Sequence, residues 1–175
     1  PNFTIMLLPN DHTSGTRPGS PTPRAAVADN DLALGQIVDA ISHSKFWKET
    51  CIFVTEDDPQ AGLDHVDGHR TVGMVISPYT KRNEVVSTYY SQINMVRTME
   101  NILGIPPMNQ FDLSAEPMFD CFTESPDFKP YKAEKNNIPE SKFKESKLLN
   151  LLVKNENSSI YILDLLFHGI WAIYQ

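Results

Sequence analysis

CIFVTEDDPQAGLDHVDGHRTVGMVISPY, residues 51–79, sets two apolar runs on either side of a loop crowded with ligand-type side chains. Cys51 to Glu56 is rich in β-branched and aromatic residues and is bounded by polar turns, the signature of a buried strand. Thr71 to Tyr79 reads as another strand. Between them stand Glu56, Asp57, Asp58, Asp64 and Asp67 with His65 and His69, a concentration that a merely solvated loop does not need.

Upstream, Phe3 to Leu8 is a short apolar run ending at Pro9, as expected of a strand buried on both faces. Residues 13–24, TSGTRPGSPTPR, form a Gly/Pro/Ser/Thr loop that is long for a plain connector, which favours a functional role. A helix is expected from about Asp29, capped by Asp29, Asn30 or Asp31, with Leu34, Ile37, Val38 and Ile41 on one stripe as far as residue 42. A second helix begins near Ser87, carries Ile93, Val96, Met99, Ile102 and Leu103, and stops at Gly104 before Pro106 and Pro107. Strand, helix and strand in that order predict a right-handed crossover, so the expected class is α/β with a mostly parallel sheet and flanking helices.

In open parallel sheets, ligands bind beyond the carboxyl ends of the strands. Asp11 and His12 follow the first run, Asp57 and Asp58 end the second, and Asp64, His65, Asp67 and His69 precede the third, so a parallel sheet would carry all three sets to one edge. Mixed carboxylate and imidazole donors suit borderline divalent metals such as zinc, manganese or iron. Each residue alone has an ordinary alternative: Asp11 as a turn cap, Asp57 and Asp58 as solvated loop acids. The joint pattern is what points to a metal.

The chain holds 175 residues with a net charge of −7, 41% hydrophobic and 21% charged, enough for one core-forming domain. Its 15 Lys and Arg residues are scattered, which argues against a nucleic-acid partner. Cys51 and Cys121 can pair or stay free, with a small buried thiol the plainer reading of Cys51. The chain opens on Pro1 and NFTIMLLP without a signal-peptide pattern, and reads as a piece of something longer.

The runs LPNDHTSG, VADNDLALGQIVDAISHSKFWKETCIFVTEDDPQAGLDHVDGHRTVGMVISPYTKR and YYSQINMVRTMENILGIPPMNQFD resemble the carboxyl-terminal half of the phosphoesterase family within the alkaline phosphatase superfamily. They are most similar to the bacterial members fused to a β-propeller of YVTN repeats. The resemblance implies an alkaline-phosphatase-like partial domain over residues 1–145 and a tail, 146–175, foreign to the family. It implies a hydrolase of phosphate esters with two divalent metal ions per complete site, zinc first, with manganese, iron or calcium as the others. By position, Asp11, His12, Asp57, Asp58 and His69 match metal ligands. Asp64, His65 and Arg70 match positions that touch substrate or support the ligands. In the family, Asp11 and His12 are usually several residues apart and the tandem pair is more often Asp-His, so this chain departs at both places.

The family's Ser or Thr nucleophile belongs upstream of the matching region. Thr4 is expected inside a strand, and Thr13 and Ser14 in a loop. The implied partners are a small phosphate ester, the upstream part of the same parent protein and its β-propeller, in a periplasmic or secreted setting. The reading from another class is a non-catalytic metal-binding or scaffold domain. The apolar stretch Ile160–Tyr174 is too short for a membrane span and is interrupted by Asp164 and His168; it reads either as an interfacial or partner helix or as a chain that has run past the true end of its reading frame, with His168 incidental.

Overall fold

The computed structural model describes residues 1–15, 17, 20–59, 67–138 and 169–174. The elements are β1 (Phe3–Met6), α1 (Pro23–Ser42), β2 (Thr50–Thr55), β3 (Gly73–Ile76), α2 (Gln92–Leu103), α3 (Gln110–Ser114) and β4 (Gly169–Tyr174). They fall into two units. One holds residues 1–7, 39–131 and 169–174, the other 8–38 and 132–138, so the boundary lies within α1 between Val38 and Asp39.

The sheet belongs to the first unit and has the order β1-β4-β2-β3. Every neighbouring pair is antiparallel, which corrects the expectation of a mostly parallel, alkaline-phosphatase-like sheet. The reason is local to the loop after β2. A parallel return requires a crossover that carries the chain back along the strand, usually on a helix. Here Glu56 O, just past β2, accepts from Thr71 Oγ1 at 3.2 Å, so the chain re-enters at the end where it left. The register follows, Thr55 opposite Gly73 and Ile52 opposite Ile76. Two antiparallel steps through β4 leave β1 and β2 pointing the same way, though not adjacent.

Strand β2 is interior to the sheet and is buried from Thr50 to Val54, as its composition predicts. Alternation sends Cys51 and Phe53 to the face where Met95 and Met99 of α2 and Met118 complete one core cluster. Strand β1 is not the doubly buried strand expected: Phe3 and Ile5 are 36% and 40% exposed, as suits an edge. In the tail, residues 169–174 form a strand, against the reading of this stretch as a helix. Among the described residues no helix is long and apolar enough to cross a membrane.

Helix α1 starts earlier than the sequence pattern suggests. Thr22 Oγ1 accepts from the Ala25 amide at 3.3 Å with Pro23 as the first helical residue, so Asp29, Asn30 and Asp31 lie inside the helix instead of capping it. Helix α2 opens at Ser91, whose amide and hydroxyl both donate to Asn94 Oδ1 at 2.7 and 2.8 Å. It closes on Gly104 in the left-handed region, φ 67°, where the Ile105 amide reaches back to Glu100 O at 3.0 Å. Its buried face is Met95, Thr98 and Met99, with Ile102 and Leu103 packed alongside, whereas Ile93 is exposed.

Because Phe53 is fully buried at the centre of this cluster, Phe53→Ala is expected to cost about 3–5 kcal/mol. Urea unfolding checks it; a loss below about 1 kcal/mol would show that the β2–α2 contact is not the main core.

Candidate functional site

In the first unit, the exit from β2 and the entry to β3 lie at the same end of one antiparallel pair. Asp57 and Asp58 therefore leave the sheet at the rim where His69 and Arg70 arrive. Asp57 is half-buried and Asp58 exposed. The backbone that carries them is anchored from below by Gln92, the first residue of α2, whose Nε2 donates to Glu56 O at 3.0 Å and to Asp57 O at 2.8 Å. Thr55 Oγ1 adds a bond to Glu56 O at 3.0 Å, so three side-chain donors converge on this carbonyl.

On the β3 side, Asp67 organises a tight turn. Its Oδ1 accepts from the His69 amide at 2.9 Å, and the Arg70 amide donates to Asp67 O at 3.1 Å. The same Oδ1 stands 3.5 Å from His69 Nδ1, with the His69 side chain 97% exposed. An imidazole that faces a carboxylate through one nitrogen presents the other outward, the orientation used by metal-binding histidines. Asp64 and His65 lie outside the described residues.

Asp11 and His12 belong to the second unit. They sit in a one-turn 3-10 helix, Pro9–His12, that is stapled to α1: the Asn10 amide donates to Asn30 Oδ1 at 3.2 Å, Asn30 Nδ2 donates to Leu8 O at 2.6 Å, and Asn10 Nδ2 donates to Asp29 Oδ2. The next residue, Thr13, has φ 54° and ψ 171°, a backbone conformation that a β-branched side chain rarely adopts. Asp11 Oδ1 is buried without a hydrogen-bond partner among the described residues, while His12 is exposed and has a partner.

The five expected ligands thus form two sets, Asp57, Asp58 and His69 at the β2–β3 rim and Asp11 with His12 on the turn before α1. Among the described residues no three His, Cys, Asp or Glu side chains already stand together as a metal-holding group. The donor chemistry nevertheless fits a borderline divalent cation, and the orphaned oxygen of Asp11 is what a ligand oxygen without its cation looks like. Of the hydroxyls, Thr4 lies within β1, and Thr13 Oγ1 accepts from the Gly15 amide at 3.2 Å in its own loop. Neither Gln92 nor the turn-forming role of Asp67 is legible from residue types and strand ends. An Asp two residues before a His at the end of a loop is the one signal that points to the latter.

Comparison with family models, with curated proteins and with solved structures gave no match to this chain.

Gln92→Leu removes the two bonds that Gln92 makes to the β2 exit and leaves those of Thr55 and Thr71. A loss of about 1–2 kcal/mol is expected, one neutral hydrogen bond being worth about 0.5–1.5 kcal/mol. Hydrogen exchange at residues 56–58 should accelerate selectively; unchanged protection there would remove Gln92 from the site.

Proposed function

We propose that the chain is the ligand-bearing part of a metal-dependent phosphoesterase, with Asp57, Asp58 and His69 as one metal-ligand set and Asp11 and His12 as another. The observation that carries this reading is the β2–β3 register, which delivers a tandem carboxylate and a histidine to one strand end. Two further features support it. The Asp67–His69 turn presents the imidazole in the manner of a ligand, and a carboxylate oxygen of Asp11 is buried without a partner among the described residues. The order of these residues along the chain is that of the phosphoesterase family, as the sequence resemblance implies.

A divalent cation bound to such carboxylates and imidazoles withdraws charge from phosphoryl oxygens and acidifies a coordinated hydroxyl or water. The chain's own residues do the rest. Gln92 and Thr71 fix the carbonyl beside Asp57 so that the tandem carboxylates project from a rigid strand end. Asp67 sets the turn that holds the His69 ring, and its Oδ1 faces Nδ1 at 3.5 Å, which leaves the other ring nitrogen outward as the one available to a metal. Arg70, exposed beside His69, is suited to meet the oxygens of a phosphate ester. The substrate class is a small phosphate ester, and the hydroxyl nucleophile is supplied from outside these residues.

Calorimetric titration with zinc or manganese is expected to show binding that weakens at least about 10-fold in the Asp57→Ala, His69→Ala double variant, the scale of loss seen even when only supporting groups of a metal site are removed. Undiminished affinity would reject the ligand assignment.

With the metal loaded, this chain should turn over an activated aryl phosphate at least about 10²-fold more slowly than a chain extended on its amino-terminal side to include the nucleophile, because a displacement of about 1 Å in a reacting group already costs that much. Equal rates would locate the whole chemistry within these 175 residues and overturn the proposed division.

A further inference from the structure

Cys51 and Cys121 are both reduced, and the candidate phosphoesterase chemistry uses neither. They are far apart in sequence yet belong to the same side of the first unit. Alternation along β2 turns Cys51 into the cluster with Phe53, Met95, Met99 and Met118, and Cys121 packs against that cluster from the short turn Phe119–Cys121. A polar chain joins their backbones. The Lys81 amide donates to Cys121 O at 3.0 Å, and Thr80 pairs with Phe122 across an isolated bridge. Thr80 Oγ1 donates to Ser77 O at 2.9 Å and accepts from the Ser77 amide at 3.1 Å, and Ser77 directly follows Ile76, the β3 partner of Ile52 beside Cys51.

The two thiols differ in access. Cys51 is buried, and Cys121 is half-buried. Burial pushes the Cys51 thiol far up, and a charge on Cys121 would push it further. Burial also raises Cys121, reinforced by the Asp120 carboxylate and opposed by the Lys81 ammonium. Reaction therefore has to enter at Cys121 and finish from the inside at Cys51.

We propose that Cys51 and Cys121 are a redox pair that a small disulfide oxidant, glutathione disulfide, closes into an intrachain bond. Cys121 loses its proton to solvent and its sulfur attacks one sulfur of the oxidant. That S–S bond breaks, and the departing glutathione thiolate takes up a proton. Cys51 then attacks the Cys121 sulfur of the mixed disulfide, a Cys51–Cys121 bond forms, and the second glutathione leaves with the proton that Cys51 gives up. Two protein thiols are oxidised and one glutathione disulfide is reduced to two thiols. The bond ties the interior strand β2, whose far end carries Asp57 and Asp58, to the turn at 119–121. Both raised thiols make closure slow, since only the thiolate attacks.

The test is the full chain incubated with glutathione disulfide, followed by intact mass measurement and peptide mapping after alkylation. The expected product is a monomer lighter by two hydrogens, with the Cys51 and Cys121 peptides linked. Cys51→Ser should stop at a stable glutathione adduct on Cys121, and Cys121→Ser should leave Cys51 unmodified while folded. The oxidised wild type should also unfold at higher urea, with its unfolding equilibrium constant lowered by up to about 10³-fold, as closing so long a loop allows. Two persistent free thiols in the folded wild type, a lasting glutathione adduct on it, or a disulfide-linked dimer would each overturn the pair. The wild-type peptide map decides between these outcomes even if a serine variant fails to fold.

Discussion

A strand buried on both faces must find a backbone partner along both edges, and this requirement on β2 organises the first unit. Every amide and carbonyl of Thr50–Thr55 that went unpaired in the core would carry a desolvation cost of about 1–3 kcal/mol. The chain meets the demand with β3 on one side, over residues 52–55, and β4 on the other, over 50–55. Both partners run against β2. Its carboxyl end therefore abuts the start of β3, and the acidic residues that follow Thr55 are placed at a rim rather than within a face. Burial in the middle of the strand and exposure at its end have one cause: the core cluster of Cys51, Phe53, Met95, Met99 and Met118 stops where the sheet stops.

The same constraint explains what is legible in the sequence. Phe53 and its neighbours announce a buried strand because hydrophobicity and β-branching are properties of the residues themselves. Direction is not such a property. An apolar run reads alike whichever way its neighbour runs; the antiparallel return lies in the β2–β3 ladder, with the Thr71–Glu56 bond at its open end. The apolar run at Phe3 fails as a sign of burial because edge position depends on partners supplied from residues 169–174. Pro23 looks like loop in a Gly/Pro/Ser/Thr stretch, although proline is well suited to the first helical position. Asp29–Asp31 look like caps, although Asp29 and Asn30 serve the turn that precedes the helix. At the site, the acids and histidines are visible as types at strand ends. Gln92 is not, since nothing local to Ser91–Gln92 says that its amide will bind carbonyls at 56 and 57.

The acidic residues of this chain divide by how their oxygens are satisfied. Glu100 and Asp112 are 2% and 4% exposed, deeper than any described carboxylate of the candidate site. Both accept from the amide of Met108, at 3.1 and 3.0 Å, and Arg97 reaches Glu100 at 3.3 Å. They close the corner between α2 and α3, where Pro106 and Pro107 withhold amides and leave Met108 the nearest donor. Such carboxylates hold the fold together, and their oxygens are committed to it. Asp11 is the contrasting case. Its turn is stapled by Asn10 and Asn30, and the strained Thr13 follows it, yet Oδ1 is buried and bonded to nothing among the described residues. Leaving a polar oxygen buried and unpaired carries a desolvation cost, and a backbone held at an unfavourable φ adds about 1–3 kcal/mol. The contrast is therefore one of satisfaction: the deepest acids of the first unit are held by amides and an arginine, whereas Asp11 Oδ1 has no hydrogen-bond partner among the described residues.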